Sequence, residues 1–166
     1  MKIVTLIMYS FFCVSCATPQ TNKSEFLIYA QEKLAHHDFT VDTSYDETKL
    51  RLNQFVENCL NVKVTREIKP LTPKRPVLRQ ASNYSANIEE INNQLTLYLS
   101  FVELYSFDIK SDPVYVFLAQ INKGDLKNKT IGKTSYYDDI MGRNTEAISN
   151  SLIAWIKNEK KLCPFP

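Results

Sequence analysis

The sequence is poor in glycine, which occupies three of its 166 positions. Glycine-rich phosphate loops and closely spaced tight turns need positions where only glycine tolerates the backbone conformation. The shortage therefore argues against nucleotide-cradling folds and small β-barrels. The net charge is also low, at +2, which is too weak for binding nucleic acid through overall charge. We expect no nucleic-acid partner.

Signatures of metal, cofactor and catalytic sites are missing as well. The chain has no EF-hand loop, HExxH, P-loop, dinucleotide fingerprint or G-x-S-x-G elbow, and beyond residue 16 it has no CxxC pair. Its only histidines, His36 and His37, precede Asp38, and adjacent residues on a helix point about 100° apart, so they are poorly placed to share a metal. We interpret them as a solvated helix end and Asp138-Asp139 as a solvated loop. We expect no metal and no cofactor.

The overall composition is that of one globular domain. Hydrophobic residues make up 44% of the chain and charged residues 23%, close to the averages for soluble domains. The length suffices for one domain with a real core and is too short for two domains of ordinary size.

The N-terminus has the layout of a secretory signal. Lys2 is followed by an uncharged apolar stretch over residues 3–14 and then by the small residues Ser15, Cys16 and Ala17. A membrane-spanning helix needs about 20 predominantly apolar residues, so an uncleaved anchor is a disfavoured alternative.

Within this signal, Cys13-Val14-Ser15-Cys16 resembles the bacterial lipobox. Val14, Ser15 and Cys16 match its pattern, whereas Cys13 stands where leucine is commonest. The resemblance implies removal of residues 1–15, lipid attachment at Cys16 and a flexible tether over residues 16–23. It also implies the outer membrane, facing the periplasm, because Ala17 rather than Asp follows the cysteine. The alternative is ordinary cleavage after Ala17, which would give a soluble periplasmic or secreted protein.

Either cleavage leaves Cys59 and Cys163 as the only thiols of the body. Two cysteines in an oxidising compartment predict one disulfide, which would close a loop of nearly the whole body. The alternative is a pair of buried free thiols.

Helical patterns occur in three parts of the body. A capping box at residues 22–25 predicts a first helix over about 24–37, and a second box at Ser44 precedes an apolar face at Leu52, Phe55, Val56 and Cys59. A last helix begins at Asn144 or Thr145.

Strand patterns fill most of the remaining body. Short alternations predict strands near 39–41, over 60–68 and over 94–109, the last with a β-bulge near 102–104. Two more strands follow over 114–121 and 129–137. Residues 69–92, with three prolines, are predicted to form a long surface loop.

These elements predict an α+β fold, a mostly antiparallel sheet with two or three helices packed on one face. We expect residues 24–166 to form this single domain.

The strongest charge feature is a basic cluster around the proline-rich stretch. Its members are Lys63, Arg66, Lys69, Lys74, Arg75 and Arg79, against the single acid Glu67. We expect Lys69, Lys74, Arg75 and Arg79 to contact a partner, either an acidic protein or the phosphates of anionic lipid or lipopolysaccharide. The alternative is that the cluster only keeps a loop soluble.

These features favour a non-catalytic accessory or structural lipoprotein of a cell-envelope or secretion assembly, held to the membrane by its lipid and bound to an envelope protein. A small periplasmic hydrolase is a second hypothesis and would need perturbed acids or a Ser/His pair in a concave pocket. A lipid carrier is a third and would need an apolar cavity between sheet and helices.

Overall fold

The protein folds around one six-stranded antiparallel sheet. A computed structural model describes residues 20–68, 78–104, 111–126, 128–138, 145–159 and 162–165. In chain order the elements are α1 (Lys23–Lys33), β1 (Ala35–Val41), α2 (Tyr45–Phe55), a π-helical turn (Val56–Leu60), β2 (Lys63–Ile68), β3 (Leu78–Ile91), β4 (Gln94–Leu104), β5 (Val114–Lys123), β6 (Thr130–Tyr136) and α3 (Glu146–Ile156). The strands lie in the order β1-β6-β5-β4-β3-β2.

The second helix links the two edges of the sheet. β1 and β2 follow each other in the chain, yet they lie at opposite edges. The chain between them crosses one face as α2 and the π-helical turn. Ser44 begins α2, accepting a hydrogen bond from the backbone N–H of Glu47 at 3.3 Å, as its capping box predicts.

Helices α2 and α3 pack on the same face of the sheet. Thr134 of β6 places its Oγ1 2.7 Å from the Oγ of Ser149 on α3, and Thr48 of α2 donates to Thr130 of β6 at 3.2 Å. The core between these layers is almost fully buried and includes Leu52, Phe55, Leu95, Leu97, Leu99, Phe101, Ile148, Leu152 and Ile156. The α+β prediction, with two helices on one face, is confirmed.

Helix α1 lies on the opposite face. The ring of Phe26 stacks on Tyr115 with centroids 5.5 Å apart. The ammonium group of Lys23 sits 4.3 Å from the ring centroid of Tyr98 and pairs with the carboxylate of Glu89. Because α1 contacts mainly β5 and β6, it covers only part of this face. A single helix pattern in the sequence does not say which face the helix will cover.

The histidine pair lies on a strand, so its predicted position at the end of the first helix is wrong. Helix α1 ends at Lys33, and Leu34 is already extended, with φ −86° and ψ 158°. His36 and His37 belong to β1, which pairs with β6 over seven residues. This pairing is a long-range contact that overrides the local helical pattern.

A long strand replaces the second half of the predicted loop. Residues 78–91 form β3, which pairs with both β2 and β4, whereas 69–77 lie outside the described residues. The strand pattern is weak in the sequence because only Tyr84, Ala86 and Ile88 alternate as apolar residues, whereas Ser82 and Glu90 on the same side are polar. Asn92 and Asn93 have φ of 53° and 60°, the left-handed conformation of tight hairpin turns. This Asn-Asn turn was the signal for the hairpin.

The start of one strand and the position of the bulge also differ from expectation. Leu60 belongs to the π-helical turn, so the strand predicted from residue 60 starts at Lys63. β4 is described as far as Leu104, and the rest of the strand predicted over 94–109 lies outside the described residues. The register against β5 shifts between Leu99 and Ser100, earlier than predicted, and the extra residue is in β5.

Candidate functional site

The chain joins the sheet soon after the predicted lipid site. Cys16 itself lies outside the described residues. The carbonyl of Gln20 accepts a hydrogen bond from the backbone N–H of Tyr115 at 3.0 Å. Two residues later the side chain of Asn22 caps α1 by accepting from the N–H of Ser24 at 2.8 Å. The second half of the expected tether, from Gln20 onward, is thus attached to the domain.

The predicted disulfide is present. Cys59, on the π-helical turn, is bonded to Cys163, with 5.0 Å between their Cα atoms and a sequence separation of 104. The aromatic ring of Phe165 packs against Tyr84 of β3, with centroids 4.4 Å apart. The bond and the ring together fasten the C-terminal end to the α2–α3 face.

The basic cluster is only partly placed. Lys69, Lys74 and Arg75 lie outside the described residues. Arg79 stands opposite Glu67 in the β2–β3 pair, but the structure does not describe its side chain. Ile68 pairs with Leu78 at the end of that hairpin, so residues 69–77 connect two adjacent strand ends.

His36 makes one polar contact, and among the described residues neither histidine belongs to a cluster that could hold a metal ion. His36 Nδ1 lies 3.1 Å from the Oγ of Ser135 on the neighbouring strand. Ser135 is only 2% exposed, so a substrate carbonyl has no access to this hydroxyl, and the pair does not favour a serine nucleophile. Asp138 is exposed, and Asp139 lies outside the described residues. In the described ranges, His, Cys, Asp and Glu side chains form no cluster of three that would hold a metal ion.

A polar depression on the α1 face is the feature that sequence reasoning missed. Its volume is about 430 Å³, and it lies on the part of the face that α1 leaves open. It is lined by Asp38, Phe39, Thr40, Gln94, Gln120, Asn122, Ile131, Gly132 and Lys133. Three of these side chains are amides from β4 and β5, and the others contribute one acid and one base. The only sequence signal was the presence of amides at alternating strand positions, which become neighbours only once the register is known.

A second cavity, of about 330 Å³, lies beside the β3–β4 turn. There the hydroxyl of Tyr45 donates to Glu90 at 3.0 Å, and Lys49 pairs with the same carboxylate. Burial and, to a smaller extent, the hydrogen bond to Glu90 together raise the pKa of Tyr45 to about 12. Hydrogen bonds from Lys49 and Tyr45 lower the pKa of Glu90. Neither group is poised to exchange a proton near neutral pH, so the cluster joins α2 to β3 rather than resembling an acid–base pair.

Comparison with known proteins gives no further guide to function. No family model matches the chain, and a search of curated proteins found no match. In the part of the chain that the structure describes, none of the helices is long and apolar enough to cross a membrane.

Proposed function

We propose that the protein is an exported lipoprotein of the bacterial outer membrane, anchored through Cys16, and a non-catalytic accessory or structural component of a cell-envelope or secretion assembly. The observation that carries this proposal is the Cys59–Cys163 disulfide, because disulfides persist in oxidising compartments such as the periplasm. The lipobox-like segment supports the anchor, and Ala17 supports the outer membrane as its location.

The attachment at Gln20 supports a close fit between domain and membrane. Gln20 lies four positions after Cys16, and an extended chain spans at most about 3.6 Å per position, or about 14 Å in all. A lipid on Cys16 therefore holds the domain beside the bilayer, where a partner assembled on the same membrane would meet it.

The β2–β3 hairpin supports a role in binding a negatively charged partner. Lys69, Lys74 and Arg75 fall within the single connection between Ile68 and Leu78, and Arg79 follows directly on β3. Cations concentrated in one hairpin connection favour contact with phosphates or with an acidic protein surface.

The anchor is tested by metabolic labelling of the full chain with a palmitate analogue in a two-membrane bacterium. We expect label on the wild type and on Cys13→Leu, which places the commonest lipobox residue at that position, and no label on Cys16→Ser. Mass spectrometry of the mature N-terminus provides the second measurement. A free Thr18 at that terminus would contradict the anchor.

The partner is tested by mild cross-linking in the native membrane followed by co-purification. Reversing the charges of Lys74 and Arg75 to glutamate should reduce recovery of a salt-sensitive partner. The matched control reverses Lys33 and Lys157, which are exposed on the ends of α1 and α3. Equal recovery with both double variants would remove the basic cluster from the proposed interface.

A further inference from the structure

The polar depression on the α1 face is built from two neighbouring rows of the sheet. The strand register places Gln94, Asn122, Ile131 and Thr40 in one row across four strands. The next row holds Thr96, Gln120, Lys133 and Asp38. Four strands at about 4.8 Å spacing make the rows about 14 Å wide, and the rows lie about 7 Å apart. This polar grid is wide enough for several sugar rings laid side by side.

The charges of the grid cancel. Asp38 and Lys133 are cross-strand neighbours, and they are the only ionisable side chains in the lining. The attraction of Lys133 for an anionic ligand is offset by the repulsion from Asp38, and the attraction of Asp38 for a cationic ligand is offset by the repulsion from Lys133. The site therefore favours a ligand without net charge.

The amides determine what kind of neutral ligand fits. Each of Gln94, Gln120 and Asn122 offers two N–H donors and a carbonyl acceptor. All three are half-buried, so neighbouring side chains restrict them while solvent still reaches them. Within the described part of the chain, no side-chain hydrogen bond engages these amides. Sugar hydroxyls and acetamide groups both donate and accept, which matches this set.

An apolar contact lies beside the amides. Ile131 is 45% exposed and projects from the same row as Gln94 and Asn122. A sugar ring presents C–H groups on its faces and hydroxyls at its edge, so an aliphatic side chain next to amides suits it. A flat aromatic ligand would instead favour an exposed aromatic partner, and the one ring in the lining, Phe39, is buried.

We propose that this depression binds an uncharged oligosaccharide through Gln94, Gln120 and Asn122, with Ile131 against a ring face. The site goes beyond the proposed function and does not depend on Cys16. Its failure would therefore leave the lipoprotein proposal intact, and a failed anchor would leave the site intact.

The test uses the mature protein, purified from cells that express the full chain. The two probes are chitotetraose and maltotetraose. NMR titration should shift the side-chain amide signals of Gln94, Gln120 and Asn122 with at least one probe. Removing two amides in Gln120→Ala/Asn122→Ala should weaken binding about tenfold, as expected for two neutral hydrogen bonds. The matched control, Gln31→Ala/Asn150→Ala, removes two exposed amides from helices and should bind like the wild type.

Three outcomes would overturn the proposal. The first is that neither probe shifts the three amide signals. The second is that binding is unchanged in the Gln120→Ala/Asn122→Ala variant. The third is that affinity falls steeply with salt, which would indicate a charged ligand. The thermal unfolding temperature of each variant is measured to test whether the fold is retained. If the double variant unfolds, Ile131→Ala, altered at a partly exposed side chain, provides the same comparison.

Discussion

Replacing Gly132 by alanine is expected to destabilise the fold through one steric clash. Gly132 lies on β6 opposite Phe39 of β1. A Cβ atom at this position would meet the Cζ of Phe39 at 2.2 Å and its two Cε atoms at 2.7 and 2.8 Å. Carbon atoms in contact prefer about 3.5–4.0 Å, so the ring would have to move by more than about 1 Å. The ring is only 8% exposed and cannot simply swing into solvent.

The expected loss is about 1–3 kcal/mol of unfolding free energy, the usual cost of forcing an extra methyl group into a packed site. Urea unfolding of wild type, Gly132→Ala, Phe39→Leu and the double variant measures it. Since leucine lacks the ring atoms that clash, Phe39→Leu should cost less in the Gly132→Ala background than in the wild type. The reasoning is refuted if Gly132→Ala unfolds within about 0.5 kcal/mol of wild type, or if the two changes are additive.

Three further predictions concern groups that the fold holds together. Cys59→Ser/Cys163→Ser should lose about 4–5 kcal/mol by the chain-entropy estimate for a loop of about 100 residues; equal urea midpoints for this variant and the oxidised protein would contradict a stabilising bond. Thr134→Val should cost about 1–3 kcal/mol because it leaves the buried Ser149 hydroxyl without its partner, and Thr134→Val/Ser149→Ala should cost less than the sum of the single changes. Tyr45 has a pKa raised to about 12, above the ordinary value of 10.0, so the stability it confers is complete below pH 10 and is lost as pH rises through 12. Absorbance titration should show one fewer late-titrating tyrosine in Tyr45→Phe, and an unchanged count would contradict the assignment.

Local signals predicted the elements whose residues interact within a few positions. The Ser44 cap and the spacing of Leu52, Phe55 and Cys59 define a helix whose buried face is visible in the sequence. The alternation of Leu95 to Phe101 likewise marks a strand with one side in the core. The disulfide could be predicted by counting cysteines, because the predicted signal leaves Cys59 and Cys163 as the only pair in the body.

Long-range pairing decided what the sequence concealed. His36 and His37 look helical from their neighbours and become a strand only because β6 lies beside them. Residues of β3 look like loop because the apolar alternation is short, with polar Ser82 before it and Glu90 after it on the same side of the strand. The polar depression was hidden for the same reason, since Gln94, Gln120 and Asn122 come together through the register of two strands. Local periodicity predicts neither the face of the sheet that a helix covers nor the register between distant strands.

The strand register relates the position of the proposed anchor to that of the proposed sugar site. Gln20 joins the sheet at Tyr115, which is level with Ser100 of β4. The two rows of the depression lie four and six residues of strand from this level, or about 14 and 20 Å. The span available between Cys16 and Gln20 is at most about 14 Å. The proposed anchor would hold the Tyr115 level beside the bilayer, so with the strands pointing away from the membrane the row of Gln94 and Asn122 would lie beyond the reach of the tether, where an oligosaccharide would meet it from the aqueous side.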